Sequence, residues 1–300
     1  MPNPTRINVI ECLNATSPVN VDMKSITGPC VLKCDYNYEY GIYTPNITNK
    51  DSYLSLNYSG KSNPVKYNEQ RYTVQEVRIY QPSLHKFNGS HTDGEIMIIH
   101  NGPGKNLIVC IPFVSGGKTD KGSSQLNGLI EEAVLRTPNV EESVTTSVGN
   151  FSLDNFIPNR KGYFAYTGTL PYEPCNGTYS YIVYKQEDAL NINSIILEKL
   201  KKVIKKTVIT VKSNSIFFNK KGANSNKNSD EIYIDCQPVN QEGNILVQEG
   251  PGGTNTDTSS MGGEIDMETL EPFLYVIGGL VVAVGITYAW DYVVNKLKKE

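Results

Sequence analysis

Glu76-Val77-Arg78-Ile79-Tyr80-Gln81-Pro82, a short loop, and then Ser90-His91-Thr92-Asp93-Gly94-Glu95-Ile96-Met97-Ile98-Ile99-His100 decide how this chain is read. Both ends alternate in the manner of paired strands. Strand side chains alternate with period two, so Arg78, Tyr80 and Met97 are expected on one face of a sheet. Three imidazoles at such positions would make a metal centre. Here stand a guanidinium, a phenol and a thioether.

Outward from this stretch the chain reads as many short strands between Gly, Pro and Asn. Strands are expected at 53–58, 72–80, 95–100, 107–114, 179–185, 206–211 and 231–235. Two segments have helical spacing: 123–135, with Leu126, Leu129, Ile130 and Val134, and 193–206, with Ile195, Ile196, Leu200, Val203 and Ile204. The fold class is therefore mainly β (α+β). Residues 1–11 are a lead and 12–249 one domain. Residues 250–272 are a Gly/Thr/Ser-rich and acidic stalk, expected to be flexible. The run 273–290 is apolar and uncharged, with Tyr275, Tyr288 and Trp290 near its margins. That length is near the lower end of the roughly 17–25 residues of a spanning helix. A basic tail, 291–300, carries Lys296, Lys298 and Lys299. No signal peptide opens the chain, so a tail anchor is expected, with the lysines inside and the domain on the external side.

The net charge of −3 argues against nucleic acid as the main partner. From Gly250 onward three lysines face seven Asp and Glu, which leaves the part before it near neutral. Any electrostatic binding must then come from a local patch. Lys199, Lys201, Lys202, Lys205 and Lys206 around the second helical segment are the candidates. Richness in Asn, Lys, Ile and Tyr is compatible with the AT-rich genome of a large DNA virus. Six cysteines (Cys12, Cys30, Cys34, Cys110, Cys175, Cys236) form no CxxC pair and are too sparse for a disulfide-built fold. Six N-x-Ser/Thr sequons, at Asn14, Asn46, Asn57, Asn88, Asn150 and Asn176, would carry glycans in a secretory lumen and are otherwise chance.

Six blocks in order resemble the α-class carbonic anhydrases: Thr16–Val21 the Gln-Ser-Pro opening, Glu76–Pro82 the Gln-Phe-His-Phe-His-Trp-Gly strand, Gly89–Gly94 and Glu95–His100 the next strand and its approach, Tyr163–Leu170 the Tyr-Trp-Thr-Tyr-Pro-Gly-Ser-Leu block, and Cys236–Asn240 the Gln-Pro-Leu-Asn closing. The resemblance implies a large, twisted, mostly antiparallel sheet with short peripheral helices. It places the family's three zinc-ligand histidines on Arg78, Tyr80 and Met97. The hydroxyl that orients zinc-bound hydroxide falls on Pro171, beside Tyr172, and the proton-shuttle position on Lys61. Zinc needs three protein donors and an open position; arginine has no lone pair to give and methionine is a weak zinc ligand. No metal or other cofactor is expected, and the chain is expected not to be an enzyme. The resemblance further puts a supporting glutamate at Glu95, a buried structural histidine at His91, and an apolar wall at Ile99, Val109, Leu170 and Tyr181. His85 and His100 do not rebuild a zinc site in an obvious way. A Cys12–Cys175 disulfide is implied by extracellular members of the family, two buried thiols being the alternative; Cys30 and Cys34 form a second candidate pair.

The layout of an anhydrase-like domain, stalk and C-terminal anchor is similar to that of poxvirus virion-membrane proteins that bind chondroitin sulfate on host cells. The expectation is a viral surface protein that binds glycosaminoglycan through the lysines, with Arg78 adding a positive group if its cavity is open. The alternatives are a structural virion protein that docks on neighbouring capsid proteins, and an enzyme with a rebuilt site.

Overall fold

A computed structural model describes residues 12–30 and 34–224. Among them the strands are β1 Asn20–Val21, β2 Gly28–Pro29, β3 Tyr36–Tyr38, β4 Asn46–Asn49, β5 Leu54–Leu56, β6 Val65–Tyr67, β7 Gln70–Tyr80, β8 Lys86–Phe87, β9 Gly94–Asn101, β10 Asn106–Ser115, β11 Ser143–Thr145, β12 Tyr163–Thr169, β13 Thr178–Tyr184, β14 Leu190–Ile192 and β15 Phe217–Asn219. The helices are α1 Lys121–Arg136 and α2 Ser194–Val203. One 13-stranded sheet runs β11-β4-β5-β7-β9-β10-β13-β12-β15-β2, with β14 added to β10 and the β6–β3 pair to β7. It is mixed: β10 pairs in parallel with both β13 and β14, and β15 with β2. Parallel neighbours require a crossover, and the chain between β10 and β13 carries α1, β11 and β12.

The long central strands are apolar on both faces because both are covered. On β9, Ile96 and Ile98 join one cluster with Val77, Ile79, Val109 and Ile111, closed over by Leu126, Leu129 and Ile130 of α1 and Ile196, Leu197 and Leu200 of α2. Met97 and Ile99 join the other, with Tyr80, Ile108, Cys110, Tyr166, Leu170 and Tyr181. Gly94 starts β9 because nothing larger fits: a Cβ there would lie 1.9 Å from the Phe113 ring.

Asp120 caps α1 by accepting from the Ser123 amide at 2.8 Å. Asn193 caps α2 by accepting from the Ile195 amide. The helix ends at Val203, three residues before the sequence expectation, and 206–211 forms no strand. Backbone hydrogen bonds explain both. Lys205 N–H donates to Asp51 O, Thr207 N–H to Gln81 O and Lys212 N–H to Pro18 O. The segment is tied to three separate loops rather than to one ladder. The expected strand at 231–235, the closing block at Cys236–Asn240, the stalk, the apolar run 273–290 and the basic tail lie outside the described residues. No helix among the described residues is long and apolar enough to cross a membrane.

Cys12 and Cys175 form a disulfide with Cα atoms 5.5 Å apart, and Cys30 and Cys34 form a second. Of the sequon asparagines, Asn14, Asn57, Asn88, Asn150 and Asn176 are exposed and Asn46 is half-buried.

Candidate functional site

The pairing of β7 with β9 sets Arg78 opposite Met97 and Tyr80 opposite Glu95. The pairing of β9 with β10 sets Met97 opposite Cys110. Period-two alternation puts these side chains on one face, away from the helices.

Arg78 fills the centre. Its guanidinium is sandwiched between the rings of Tyr53 and Tyr172, 4.6 Å from each centroid. Its Nε donates to Glu76 Oε2 at 2.8 Å and its Nη1 to Tyr80 Oη at 3.3 Å. Glu76 in turn accepts from Ser55 Oγ at 2.5 Å. Burial works against the guanidinium charge, but the Tyr80, Tyr172 and Glu76 oxygens outweigh it and raise its pKa. Burial likewise raises the Tyr80 phenol, so it is neutral at ordinary pH. A zinc ion does not fit this donor set. A permanently charged guanidinium held by a carboxylate occupies the centre, and Met97 is 1% exposed beside it. The triplet is an ion-pair and stacking site rather than a metal centre.

One residue pair further along the same face lies a second polar cluster. Glu95 is fully buried. Its Oε2 accepts from the Leu84 and His85 amides at 2.8 and 3.1 Å, and its Oε1 from His85 Nδ1 at 2.6 Å. Burial opposes its ionisation, but His85 and the two amides more than offset this and lower its pKa. His85 Nε2 meets Tyr166 Oη at 2.7 Å. Burial and the Glu95 carboxylate push the Cys110 thiol up. The expectation for His91 is therefore corrected. The histidine bonded to Glu95 is His85, whereas His91 is only half-buried and its Nδ1 donates to Ser83 O. His85 reaches Glu95 from the segment between β7 and β8, a reach that strand parity does not register. The apolar wall is corrected as well. Ile99, Leu170 and Tyr181 share the Met97 face, but Val109 packs on the opposite one, and Ile108 and Cys110 stand in its place.

The other sequence candidates meet different partners. Pro171 O accepts from the Cys12 amide at 3.3 Å, beside the disulfide. Lys61 forms an exposed ion pair with Glu39. Lys201, Lys202, Lys205 and Lys206 line one groove of about 740 Å³, together with Asp51, His91 and Asp93. Lys199 is half-buried and is not part of that lining. Lys205 Nζ pairs with Asp51 at 2.6 Å and Lys201 Nζ with Glu198 at 2.7 Å. Sequence reading missed Glu76, Tyr53 and Cys110 as neighbours of these sites. The i, i+2 spacing of Glu76 and Arg78 was a usable signal; Tyr53 had none, because it arrives from the bend just before the neighbouring strand β5.

Geometry and topology together define a carbonic anhydrase-like fold, and similar solved structures bear this out. Dioscorin complexed with ascorbate superposes with a TM-score of 0.57 at 17% identity over 69% of this chain and 86% of that one. The α-carbonic anhydrase of Thermovibrio ammonificans with sulfanilamide gives 0.56 at 17% identity, over 68% and 86%. A hyperthermostable carbonic anhydrase from a hydrothermal vent chimney gives 0.57 at 20%, over 69% and 88%. In sequence, Alpha carbonic anhydrase 7 of Arabidopsis thaliana is 21% identical over 150 residues, 50% of this chain and 53% of that protein. The chain thus spans about half the length of that relative. No protein-family model matches. These likenesses correct the expectation that the chain is not an enzyme. The relative and two of the three structures bear the name of an enzyme, so the fold is one that enzymes use, and a changed donor set at one triplet does not set that aside.

Proposed function

We propose that the chain is the outward-facing domain of a viral membrane protein that binds sulfated glycosaminoglycan through the groove lined by Lys201, Lys202, Lys205 and Lys206. The observation that carries this reading is the convergence of four lysines, two from the last turn of α2 and two from the extended segment after it, on one concavity. In a chain of net charge −3 this is a local concentration of positive charge. Ammonium groups meet sulfates as point charges and need no fixed fork geometry. Lys201 and Lys205 are held in place by Glu198 and Asp51, while no ion pair holds Lys202 or Lys206 among the described residues. Two oriented and two adaptable cations suit a polymer with repeating sulfates. Asp51 and Asp93 in the same lining select against a bare polyanion and favour a ligand that also offers hydroxyl groups. Arg78 belongs to a separate site and contributes nothing to this groove. The membrane anchor rests on the 273–290 run, and an oxidising exterior on the two disulfides.

Retention on chondroitin sulfate beads tests the reading. Binding at low salt that falls steeply with added salt, and that disappears in Lys202→Glu/Lys206→Glu, supports it. No retention at low salt, or retention unchanged by the double substitution, refutes it.

A further inference from the structure

We propose that Gln81 and His91 form a hydroxyl-reading subsite in the lysine groove, so that the groove takes a sulfated sugar rather than a bare polyanion. The inference rests on the groove being the ligand site, and it adds what lysines cannot supply, hydrogen-bond acceptors of fixed direction. Both residues line the groove. Each is clamped by its donor end. Gln81 Nε2 donates to Ile204 O at 3.1 Å. His91 Nδ1 meets Ser83 O at 2.7 Å and His85 O at 3.2 Å. A carbonyl oxygen accepts and cannot donate, so the amide of Gln81 turns its NH2 group to Ile204 and the neutral His91 ring carries its proton on Nδ1. What each side chain has left is an acceptor: Gln81 Oε1 and the lone pair of His91 Nε2. Neither atom has a partner among the described residues, and neither is sealed from solvent.

The backbone holds these acceptors beside the ammonium groups. Ser83 N–H donates to Thr92 O at 3.2 Å, which ties together the segments that carry Gln81 and His91. Thr207 N–H donates to Gln81 O at 3.3 Å, so Gln81 also adjoins the segment of Lys205 and Lys206. A fixed lone pair repels a sulfate or phosphate oxygen brought against it and accepts from a hydroxyl. A sulfated sugar carries both kinds of group: its sulfates go to the lysines and its hydroxyls to Gln81 and His91. A chain of phosphates has no O–H to give and leaves both acceptors unpaired where it covers them. Acid weakens the discrimination. Histidine changes charge between about pH 8 and pH 5, and here the second proton enters at Nε2 and turns that acceptor into a donor. The charged groups that line the groove with His91 are Asp51, Asp93, Lys201, Lys202, Lys205 and Lys206. Asp51 is engaged by Lys205, and Asp93 Oδ2 accepts from the Ser115 amide at 2.7 Å. Among the described residues no ion pair joins either aspartate to the imidazole.

The test titrates the full chain with chondroitin sulfate and with inorganic polyphosphate, at about pH 7.5 and about pH 6. The readout is the ratio of the two affinities, sugar over polyphosphate, which a general change in the groove's charge does not move in this direction. His91→Phe keeps a ring of similar size and removes the acceptor. It should lower the ratio about 3–10-fold at the higher pH, the worth of one neutral hydrogen bond. In the natural chain the ratio should fall toward pH 6, and in His91→Phe it should be the same at both. A ratio that His91→Phe leaves unchanged overturns the inference while the lysine groove stands. Retention of neither polymer overturns the inference and the groove reading together. Should His91→Phe fail to fold, the natural chain decides alone: a ratio that falls toward pH 6 supports the subsite, and a constant one overturns it.

Discussion

His100 gives the most quantitative prediction. It is fully buried on β9; its Nδ1 donates to Leu107 O at 3.2 Å and its Nε2 accepts from Tyr40 Oη at 2.8 Å. Both nitrogens are thus satisfied by the neutral ring. Burial lowers its pKa to about 4, because a charged imidazole would be desolvated with no carboxylate to meet it. In the unfolded chain the ring titrates near 6.5. Between those values the unfolded state binds the extra proton, so stability is complete above about pH 6.5 and is lost as pH falls toward 4. Each pH unit is worth about 1.4 kcal/mol, giving a loss of about 2 kcal/mol by pH 5 and about 3 by pH 4. Glu95 acts in a lower window: its folded pKa is depressed below 4.5, so its contribution is present above that value and fades only below it. Urea denaturation at pH 7, 6, 5 and 4.5, for the natural chain and His100→Gln, measures the slope. The variant should be less stable at pH 7 and flatter with pH. An equal slope in both proteins would refute the assignment, as would a natural chain whose stability does not change from pH 6.5 to 5.

Other outcomes follow from the remaining contacts. Arg78→Ala leaves Glu76 without its partner and opens the Tyr53–Tyr172 sandwich; a loss of about 2–4 kcal/mol in chemical denaturation is expected. Arg78→Lys should recover less than half of it, since an ammonium cannot stack flat between two rings; full recovery would count against the stacking. Cys12→Ser opens a loop of 163 residues and, on the chain-entropy account, costs about 5 kcal/mol, visible as a lowered melting temperature that added reductant reproduces in the natural chain. Gly94→Ala should fold poorly or not at all, because the added methyl meets the Phe113 ring; proteolysis at native conditions reads this directly.

The residues themselves carried much of the fold. Alternation at 72–80 and the near-continuous apolar runs at 95–100 and 107–114 named three central strands, since a strand covered on both faces is apolar at successive positions, and the 123–135 spacing named α1. Short strands such as β2, β8 and β14 were not legible: two or three residues carry no period, and pairing partners supply the geometry. The 206–211 stretch has strand composition but forms no strand, and the amides of Lys205, Thr207 and Lys212 within and beside it bond to three unconnected segments.

The sequence by itself determined which side-chain types stand at 78, 80 and 97, a guanidinium, a phenol and a thioether, because side-chain chemistry does not depend on the fold. It also determined that the lysines crowd into a single segment. Only the tertiary structure decided what these groups meet. Tyr53 and Tyr172 come from opposite sides to enclose the guanidinium. His85, rather than His91, reaches Glu95, and Cys110 joins them from the neighbouring strand β10. Such contacts are made by pairing and packing between distant segments, and a one-dimensional period cannot encode which face of which neighbour a side chain will find.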